Sequence, residues 1–353
     1  MLRAGSKPNM KVFNMTLDEV ARKAGVSSST VSRVLNGKHG PSIATIRKVM
    51  AAAEKIKYVP APPGKRPGMR RAGYQEIRHG LIGLVILDDG FRSHCDLFAK
   101  LVAGVVRSAE VHGLEVLISI PLSRSKLPGR IEQGHVDGLL LAGHQADPRI
   151  VNALPPVPRV WMTSRRQEGE DQVLMGNESA GVLAAKYLMK QTSGPIASIN
   201  PLSLHPALRR RCDAFEFTLA EAGRSCQRLD GAAVSPAAGD VWSREQGLNL
   251  LDPLLRQLMG QATVPAGLFV PDDLWMAAVH PRLKAAGKLP EQLVSCGGQT
   301  SYLFGLEPAP AIVDIAQEVL GQQAVEQLVR KIQGDSNSSA VLLAITPELV
   351  MPR

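Results

Sequence analysis

The 353-residue sequence predicts an all-α helix-turn-helix headpiece followed by an α/β core of two doubly wound parallel-sheet lobes. Three observations predict this fold class. Two capped helices with a tight glycine turn occupy residues 16–36, a proline-rich basic segment covers 60–79, and from Leu81 short apolar runs alternate with longer amphipathic segments. The length exceeds what one hydrophobic core fills, and 44% hydrophobic with 21% charged residues is an ordinary globular composition.

The first helix of the headpiece begins at a capping box formed by Thr16 and Glu19. Its inner face carries Leu17, Val20, Ala21 and Ala24. Gly25 follows, where a left-handed conformation costs least, and Ser27 caps the second helix. The apolar side of that helix is Val31, Val34 and Leu35, and its free side is Ser28, Ser29, Ser32 and Arg33. A third helix is predicted from the cap Ser42 to about Lys57.

Such a helix pair is typical of the motif that places its second helix in the major groove of DNA. Hydroxyl groups, an arginine and an asparagine on a free helix face suit phosphate oxygens and a guanine edge. The alternative is a helical hairpin whose surface serines are only solvated. We therefore predict a DNA-binding headpiece over residues 15–59, preceded by a disordered arm over residues 1–14.

Charge is unevenly distributed along the chain, whose formal net charge is +9. Residues 1–79 contain 16 Lys and Arg against 4 Asp and Glu, whereas the remainder contains 25 against 28. A basic head on a nearly neutral body is the electrostatic footprint of a nucleic-acid binder. The four cysteines are widely spaced, which argues against a zinc site. The sequence has neither a signal-peptide core nor a membrane-spanning apolar run, so we expect a cytoplasmic protein.

The core, residues 80–353, is predicted as alternating strands and helices, which indicates parallel sheets flanked by helices. The predicted strands are Leu81–Leu87, Glu115–Ile120, Val136–Leu141, Val160–Thr163, Ile196–Ile199, Gly267–Val270, Leu293–Cys296 and Ile312–Asp314. The predicted helices are Leu97–Val111, Ser179–Met189, Pro206–Glu221, Arg244–Leu258, Asp272–Ala286 and Gln317–Ile332. Ligands of such sheets bind beyond the carboxyl ends of strands or between lobes. No nucleophile elbow, phosphate loop or metal-ligand spacing supports an enzyme, and no cofactor is expected.

The headpiece sequence TLDEVARKAGVSSSTVSRVLNG, followed by a helix that ends in KYVP, resembles the opening motif of the lactose-repressor (LacI/GalR) family of transcription regulators. The core is similar at HGLIGLVI, GHVDGLLLAG, RRRCDAF, GLFVPDDLWMAAV and VLLAITPELVMPR. The resemblance implies a core like that of periplasmic sugar-binding proteins, with two lobes, three chain crossings and a homodimer. Carried over, lobe 1 is about 80–175 plus 311–335, and lobe 2 is about 177–310 plus 336–353.

In the second helix, the resemblance places Ser28 and Ser29 at the chief base-reading positions. Arg33 matches the arginine of the family motif. Short serines reach little, so we expect Arg33 to give the strongest base contact. Positions that hold phosphates in the family are matched by Thr16, Ser27, Thr30, Ser32, Asn36, Ser42 and Thr45. The alternative for these residues is helix capping, and several can do both. A dimer implies a near-palindromic operator of double-stranded DNA.

The family's hinge helix, whose leucine wedges into the minor groove, is hard to build in residues 60–79. Pro62, Pro63 and Pro67 interrupt that segment. It loosely resembles the extended basic arms that lie in narrow A·T-rich minor grooves. One hypothesis is that Lys65 and Arg66 enter the minor groove without a wedge. The equally weighted alternative is a basic linker that touches phosphates non-specifically.

The resemblance also implies an effector site between the lobes, and the matching residues are Phe91, Arg165, Arg211, Trp242 and Asp272. The acidic pair expected after Leu293–Cys296 is replaced by Gly297-Gly298-Gln299, and Gly176 stands where aspartate is common. Because sugar sites rely on carboxylates that accept hydroxyl hydrogen bonds, this loss favours an anionic effector such as a sugar acid or sugar phosphate. The alternative is that the arginines pair with Asp272 or Asp273 and leave a degenerate pocket.

These observations predict a dimeric DNA-binding transcriptional regulator, acting as a repressor, whose operator affinity depends on a small-molecule effector. Two alternatives stay open. One is a ligand-independent DNA-binding factor with a degenerate pocket, and the other is a cytoplasmic small-molecule binding protein. A thermal-shift screen with sugars, sugar acids and sugar phosphates separates the first of these from an effector-controlled regulator.

Overall fold

The computed structural model describes residues 17–35, 42–56, 58, 77–87, 95–120, 127–143, 148–162, 167–231, 233, 244–334 and 339–351. The chain divides into two compact units, Met1–Arg71 and Ala72–Arg353. The predicted arm and residues 60–76 of the proline-rich segment lie outside the described residues. Within the described part of the chain, no helix combines the length and apolar character needed to span a bilayer.

Three helices form the described part of the first unit: α1 (Leu17–Ala24), α2 (Ser28–Leu35) and α3 (Ile43–Lys55). Between α1 and α2 the chain turns at Gly25, whose φ of 64° favours glycine. The buried side chains of this unit are Val20, Ala21, Val31, Val49, Ala52 and Ala53. Because these side chains are small, the capping of the helices makes a large relative contribution to stability. The three predicted helices are confirmed.

Two six-stranded sheets form the second unit. The strands are β1 (Leu81–Ile86), β2 (Glu115–Ser119), β3 (Gly138–Ala142), β4 (Arg159–Met162), β5 (Asp171–Met175), β6 (Ile196–Asn200), β7 (Cys226–Asp230), β8 (Gly267–Val270), β9 (Gln292–Gly297), β10 (Ala311–Asp314), β11 (Leu342–Ile345) and β12 (Glu348–Val350). The sheet of lobe 1 has the order β11-β5-β4-β3-β1-β2, and that of lobe 2 the order β12-β10-β9-β8-β6-β7. The pairs are parallel apart from β10 with β12. Strands buried on both faces, such as β1 and β3, explain the continuous apolar runs in the sequence.

Helices pack against these sheets and against one another. They are α4 (Cys95–Val111), α5 (Gly129–Glu132), α6 (Pro148–Asn152), α7 (Asn177–Gln191), α8 (Pro206–Glu221), α9 (Arg244–Met259), α10 (Asp273–Ala285), α11 (Thr300–Leu303) and α12 (Gln317–Ile332). The eight predicted strands and six predicted helices of the core are present within a few residues of their expected bounds. The predicted fold class is therefore confirmed, whereas β5, β7, β11 and β12 were not predicted.

The chain crosses between the lobes three times, after β5, after β10 and after β11. The expected lobe bounds are wrong at two of these crossings. β10 pairs with β9 in the register Ala311↔Val294, so residues 311–314 belong to lobe 2. β11 pairs with β5 in the register Leu342↔Gln172, so residues 342–345 belong to lobe 1. Both β10 and β11 lie next in sequence to an element of the other lobe. The local sequence of these strands does not indicate which sheet they join, so their assignment was wrong.

Each lobe contains a pair of helices whose backbones approach through glycine. In lobe 1, a Cβ atom on Gly104 of α4 would lie 2.0 Å from the carbonyl oxygen of Glu318 in α12. In lobe 2, a Cβ atom on Gly181 of α7 would lie 2.1 Å from the carbonyl oxygen of Arg211 in α8. Since close-packed helices transmit small displacements, the position of α7 determines where the Arg211 backbone lies.

Candidate DNA-binding surface and ligand site

A cluster of hydroxyl groups surrounds the beginning of α2. The Ser27 hydroxyl oxygen accepts the backbone N–H of Thr30 at 3.2 Å. It also lies 2.8 Å from the Ser29 hydroxyl and 2.9 Å from the Thr30 hydroxyl. This is the N-cap geometry predicted for Ser27. The first turn of a helix attracts anions such as phosphate, because its backbone N–H groups and dipole point toward them.

The two serines predicted to read bases differ in their surroundings. Ser28 is half-buried, and its hydroxyl donates to Oδ1 of Asp18 in α1 at 2.5 Å. Ser29 is exposed, and so is Arg33. Residues four positions apart lie on one side of a helix, so Ser29 and Arg33 share a face of α2. The Ser28 hydroxyl instead joins α2 to α1 within the headpiece.

Ser42 caps α3 in the same way that Ser27 caps α2. Its hydroxyl oxygen accepts the backbone N–H of Thr45 at 3.2 Å and lies 2.9 Å from the Thr45 hydroxyl. Ser32 is half-buried on α2. The remaining residues predicted to contact DNA lie outside the described residues: Thr16, Asn36, Lys65 and Arg66.

Arg211 of α8 is buried in lobe 2, with 3% of its surface exposed. Its Nε donates to Oδ1 of Asn177 at 2.9 Å, and a terminal nitrogen donates to the carbonyl oxygen of Pro271 at 2.7 Å. Both acceptors are uncharged. Among the described residues, no ion pair joins this guanidinium to Asp272 or Asp273, although its positive charge acts to lower the pKa of Asp273. The alternative in which Arg211 forms an ion pair with one of these carboxylates is therefore not the arrangement found.

Two neighbouring carboxylates begin α10. Asp272, a predicted ligand residue, caps the helix by accepting the backbone N–H of Leu274 at 2.9 Å. Asp273 is fully buried and accepts hydrogen bonds from the Ser295 hydroxyl and from the backbone N–H of Gln299, the latter at 2.7 Å. Burial raises the pKa of Asp273 to about 6, although the Ser295 hydroxyl favours the ionised form.

The Gly297-Gly298 pair at the end of β9 leaves room for two carboxylates from other elements. A Cβ atom on Gly297 would lie 2.6 Å from Oδ2 of Asp273, and one on Gly298 would lie 2.5 Å from a carboxylate oxygen of Asp314. The φ angle of Gly298 is 84°. Sequence reasoning treated this edge as having lost its acidic pair: it considered Asp273 only as a partner of the arginines and did not consider Asp314 as a site residue. The available signal was Asp314 at the end of a predicted parallel strand, where ligand-facing residues gather.

Gly176, which stands where aspartate is common, is also explained by packing. A Cβ atom there would lie 2.4 Å from the carbonyl oxygen of Ile345 in β11, so that only glycine fits beside this crossing. The structure brings Arg211 close to Asp272, because Pro271 accepts from Arg211 and precedes Asp272 in the chain. The other predicted effector residues, Phe91, Arg165 and Trp242, lie outside the described residues.

Comparison with protein families gives two matches, one in each of the two units of the chain. Residues 16–61 match the bacterial regulatory proteins of the lacI family, and residues 185–352 match a periplasmic binding protein-like domain. The chain belongs to the LacI family. The lacI match spans the three headpiece helices, and the second match runs from within α7 to the end of β12.

Several characterised LacI-family members are similar over nearly the whole chain. The ribose operon repressor of Escherichia coli K12 is 29% identical over 328 residues, which cover 90% of this chain and 93% of that protein. The HTH-type transcriptional regulator CelR of Thermobifida fusca is 27% identical over 346 residues, covering 95% and 97%.

Solved structures of LacI-family regulators share this fold. A complex of the transcriptional regulator CelR with cellobiose has a TM-score of 0.64 at 24% identity and covers 96% of this chain and 98% of that one. The lac repressor dimer bound to operator and the anti-inducer ONPF has a TM-score of 0.57 at 21% identity, with the same coverage.

Proposed function

We propose that this LacI-family chain is a sequence-specific transcriptional regulator that represses genes by binding a near-palindromic operator as a dimer. The observation that carries the proposal is the exposed face of α2, on which Ser29 and Arg33 lie side by side. The opposite side of α2 packs against the headpiece core through the fully buried Val31. The concentration of positive charge in residues 1–79 supports the same conclusion, since it attracts the phosphate backbone.

Arg33 is the residue that we propose reads a base, because its side chain is long enough to reach a guanine edge. The full-length protein is first used to select its operator from a pool of random duplexes. Arg33→Ala is expected to weaken binding to that operator by about 1–3 kcal/mol, roughly 5- to 150-fold, and to relax preference at one position in each half-site.

Lys55→Ala is the matched control, because Lys55 is an exposed basic residue of the same headpiece at the C-terminal end of α3. It should alter operator affinity far less and leave the selected sequence unchanged. Equal losses for both variants would show that Arg33 contributes charge rather than base recognition. If no sequence is enriched from the pool at all, the chain is not a sequence-specific DNA binder.

We further propose that the effector is an anion bound at Arg211. A buried guanidinium has five N–H donors, and the acceptors described for Arg211 are uncharged. A carboxylate or phosphate from the ligand would therefore give this guanidinium a direct charged partner, which none of its described hydrogen-bond acceptors provides. Sugar acids and sugar phosphates are the classes that combine such an anion with hydroxyls for the nearby carboxylate of Asp272.

A thermal-shift screen that pairs each neutral sugar with its acid and its phosphate tests this proposal. The charged member of a pair is expected to raise the melting temperature and the neutral member is not. Arg211→Met should abolish the rise. Stabilisation by neutral sugars alone would overturn the anion assignment, and stabilisation by no compound, with normal operator binding, would favour a ligand-independent regulator.

The entry of Lys65 and Arg66 into the minor groove is proposed on their sequence alone. Narrow A·T-rich grooves attract arginine and lysine more strongly than G·C-rich ones. The wild type should therefore prefer operators with A·T centres, and the double variant Lys65→Gln/Arg66→Gln should lose that preference. Equal binding of the wild type to both kinds of operator would leave the segment as a non-specific basic linker.

A further inference from the structure

Two groups on α4 of lobe 1 contact lobe 2 directly. The Lys100 ammonium donates to the carbonyl oxygen of Gly298 at 2.6 Å, and it lies 3.7 Å from Oδ2 of Asp314. One helical turn earlier, Asp96 accepts a hydrogen bond from the Ser301 hydroxyl. Because positions four apart share one face of a helix, Asp96 and Lys100 together present a single polar edge to the other lobe.

The partners of this edge lie where a ligand is expected. Gly298 follows β9, Ser301 lies in α11 directly after it, and Asp314 ends β10. These are the carboxyl ends of neighbouring parallel strands, which is the edge of the sheet at which ligands of such folds bind. One peptide bond separates Gly298 from Gln299, whose N–H is held by Asp273. The contacts between the lobes therefore lie directly beside the proposed ligand site.

Asp314 connects these contacts to a crossing of the chain. While its Oδ2 faces Lys100, its Oδ1 accepts the backbone N–H of Ala316 at 2.8 Å. Ala316 has a φ of 51° and lies where the chain passes from β10 of lobe 2 to α12 of lobe 1. A change in the angle between the lobes must alter the backbone at this crossing. The Asp314 carboxylate therefore contacts both the opposite lobe and the segment whose backbone changes.

We propose that Asp96, Lys100, Ser301 and Asp314 form an interlobe clasp, a set of polar contacts that sets the balance between open and closed forms of the core. The proposal rests on the proposed function in that a regulator of this kind responds to its effector through lobe closure. Side chains of Lys100 and Asp314 are 39% and 33% exposed, and pairs as exposed as these are weak. The clasp therefore biases closure rather than locking it, which leaves an effector able to shift the balance.

The Asp96–Ser301 contact allows a test by exchange of its two residues. Ser301→Asp places two carboxylates face to face and should favour the open form. The double variant Asp96→Ser/Ser301→Asp restores a hydroxyl opposite a carboxylate, with their places exchanged, and should return the balance to that of the wild type. Lys100→Met provides a second, independent variant, since it removes both contacts of the ammonium while keeping the length of the side chain.

The measurement is the distance between spin labels attached at Glu132 in lobe 1 and Glu291 in lobe 2, two exposed positions. Labels introduced through a genetically encoded keto amino acid leave the native cysteines in place, and pulsed electron paramagnetic resonance then gives the distance distribution of the full chain. Ser301→Asp and Lys100→Met are each expected to reduce the closed population about two- to fivefold relative to the open one.

Arg107→Met is the matched control. Arg107 also lies on α4 and is also paired with a carboxylate, but its partner Glu318 belongs to the same lobe. Its loss should leave the distance distribution unchanged. An unchanged distribution in Ser301→Asp and Lys100→Met, or failure of the exchanged pair to restore it, would overturn the clasp. The readout needs neither DNA nor effector, so a failure of operator binding would be seen separately.

Discussion

At the scale of single residues, the hydroxyls that sequence reasoning assigned to DNA contacts also stabilise the headpiece. Ser27 and Ser42 each accept the backbone N–H of the third residue after them, and the Ser28 hydroxyl reaches Asp18. A hydroxyl that accepts one N–H retains its own proton for a second acceptor. One hydroxyl can therefore both cap a helix and contact a phosphate. A substitution that keeps the cap distinguishes the two roles.

Ser27→Ala is expected to destabilise α2 by about 1 kcal/mol, because the N–H of Thr30 loses its acceptor. Amide hydrogen exchange along α2 should become about fivefold faster, as measured by mass spectrometry or NMR. Ser27→Asn is the control, since asparagine caps helices as well as serine does. Exchange as slow in Ser27→Ala as in the wild type would mean that the cap contributes nothing.

Asp273 should make the stability of the core depend on pH. Its pKa is about 6 in the folded chain, above the ordinary value of 3.8, so the folded state binds the additional proton between these two values. The free energy of unfolding contributed by this group therefore decreases as pH rises from about 4 to about 6.

Asp273→Asn is expected to remove that contribution. Asparagine can still accept from the Gln299 N–H and can donate to the Ser295 hydroxyl, so both contacts persist. In urea denaturation, the variant should become progressively more stable relative to the wild type as pH rises through this window, with a constant difference above it. A difference that stays flat from pH 4 to 7 would contradict the raised pKa.

The ligand residues proposed from sequence were those with a local signal. Arg211 and Asp272 lie within motifs that resemble the family, and the hydrogen bond from Arg211 to the carbonyl oxygen of Pro271 brings them close together. The positions of Asp273 and Asp314 beside Gly297 and Gly298 were not predicted, because they depend on the order of the strands. Sheet order arises from contacts between segments distant in sequence, and no local pattern encodes it.

At the scale of secondary-structure elements, the long periodic segments were predictable and the short strands were not. Helices such as α8 and α12 carry several turns of amphipathic pattern. β5 begins with Asp171 and Gln172, polar residues that are nevertheless buried. Oδ1 of Asp171 accepts the N–H of Val341, and its Oδ2 lies 3.2 Å from Nε2 of Gln327, which donates to it. Hydrogen bonds from α12 and from the residue before β11 thus permit a buried polar strand that hydrophobicity alone does not indicate.

Glycine at the helix contacts should tolerate no side chain. Gly104→Ala and Gly181→Ala each place a methyl group about 2 Å from a carbonyl oxygen of the facing helix, and overpacking of this kind costs about 1–3 kcal/mol. The midpoint of chemical denaturation should fall accordingly. Gly129→Ala is the control, because no atom lies within 4 Å of a Cβ at that exposed position. Midpoints for Gly104→Ala and Gly181→Ala that match that of Gly129→Ala would contradict the close contact of these helices.

At the scale of the whole molecule, charge divides the chain into a basic DNA-binding part and a nearly neutral core. Operator binding should therefore weaken steeply with salt, because each phosphate neutralised releases counterions. We expect at least a tenfold loss of affinity between about 50 and 200 mM salt, measured by fluorescence anisotropy with the full chain. Lys186→Gln, which removes an exposed charge of the core, should not change the slope. A slope near zero would contradict the assignment of the basic residues to phosphate contacts.

The position of β11 in lobe 1 has a consequence for how the protein is made. Residues 342–345 form the edge strand next to β5, although the rest of that sheet is complete by residue 175. During synthesis the headpiece and most of both lobes therefore emerge from the ribosome while β5 still has an unpaired edge, a surface prone to wrong association. The sheet of lobe 1 is completed only when residues 342–345 are translated, so a chain terminated before them has an open, aggregation-prone sheet edge at β5.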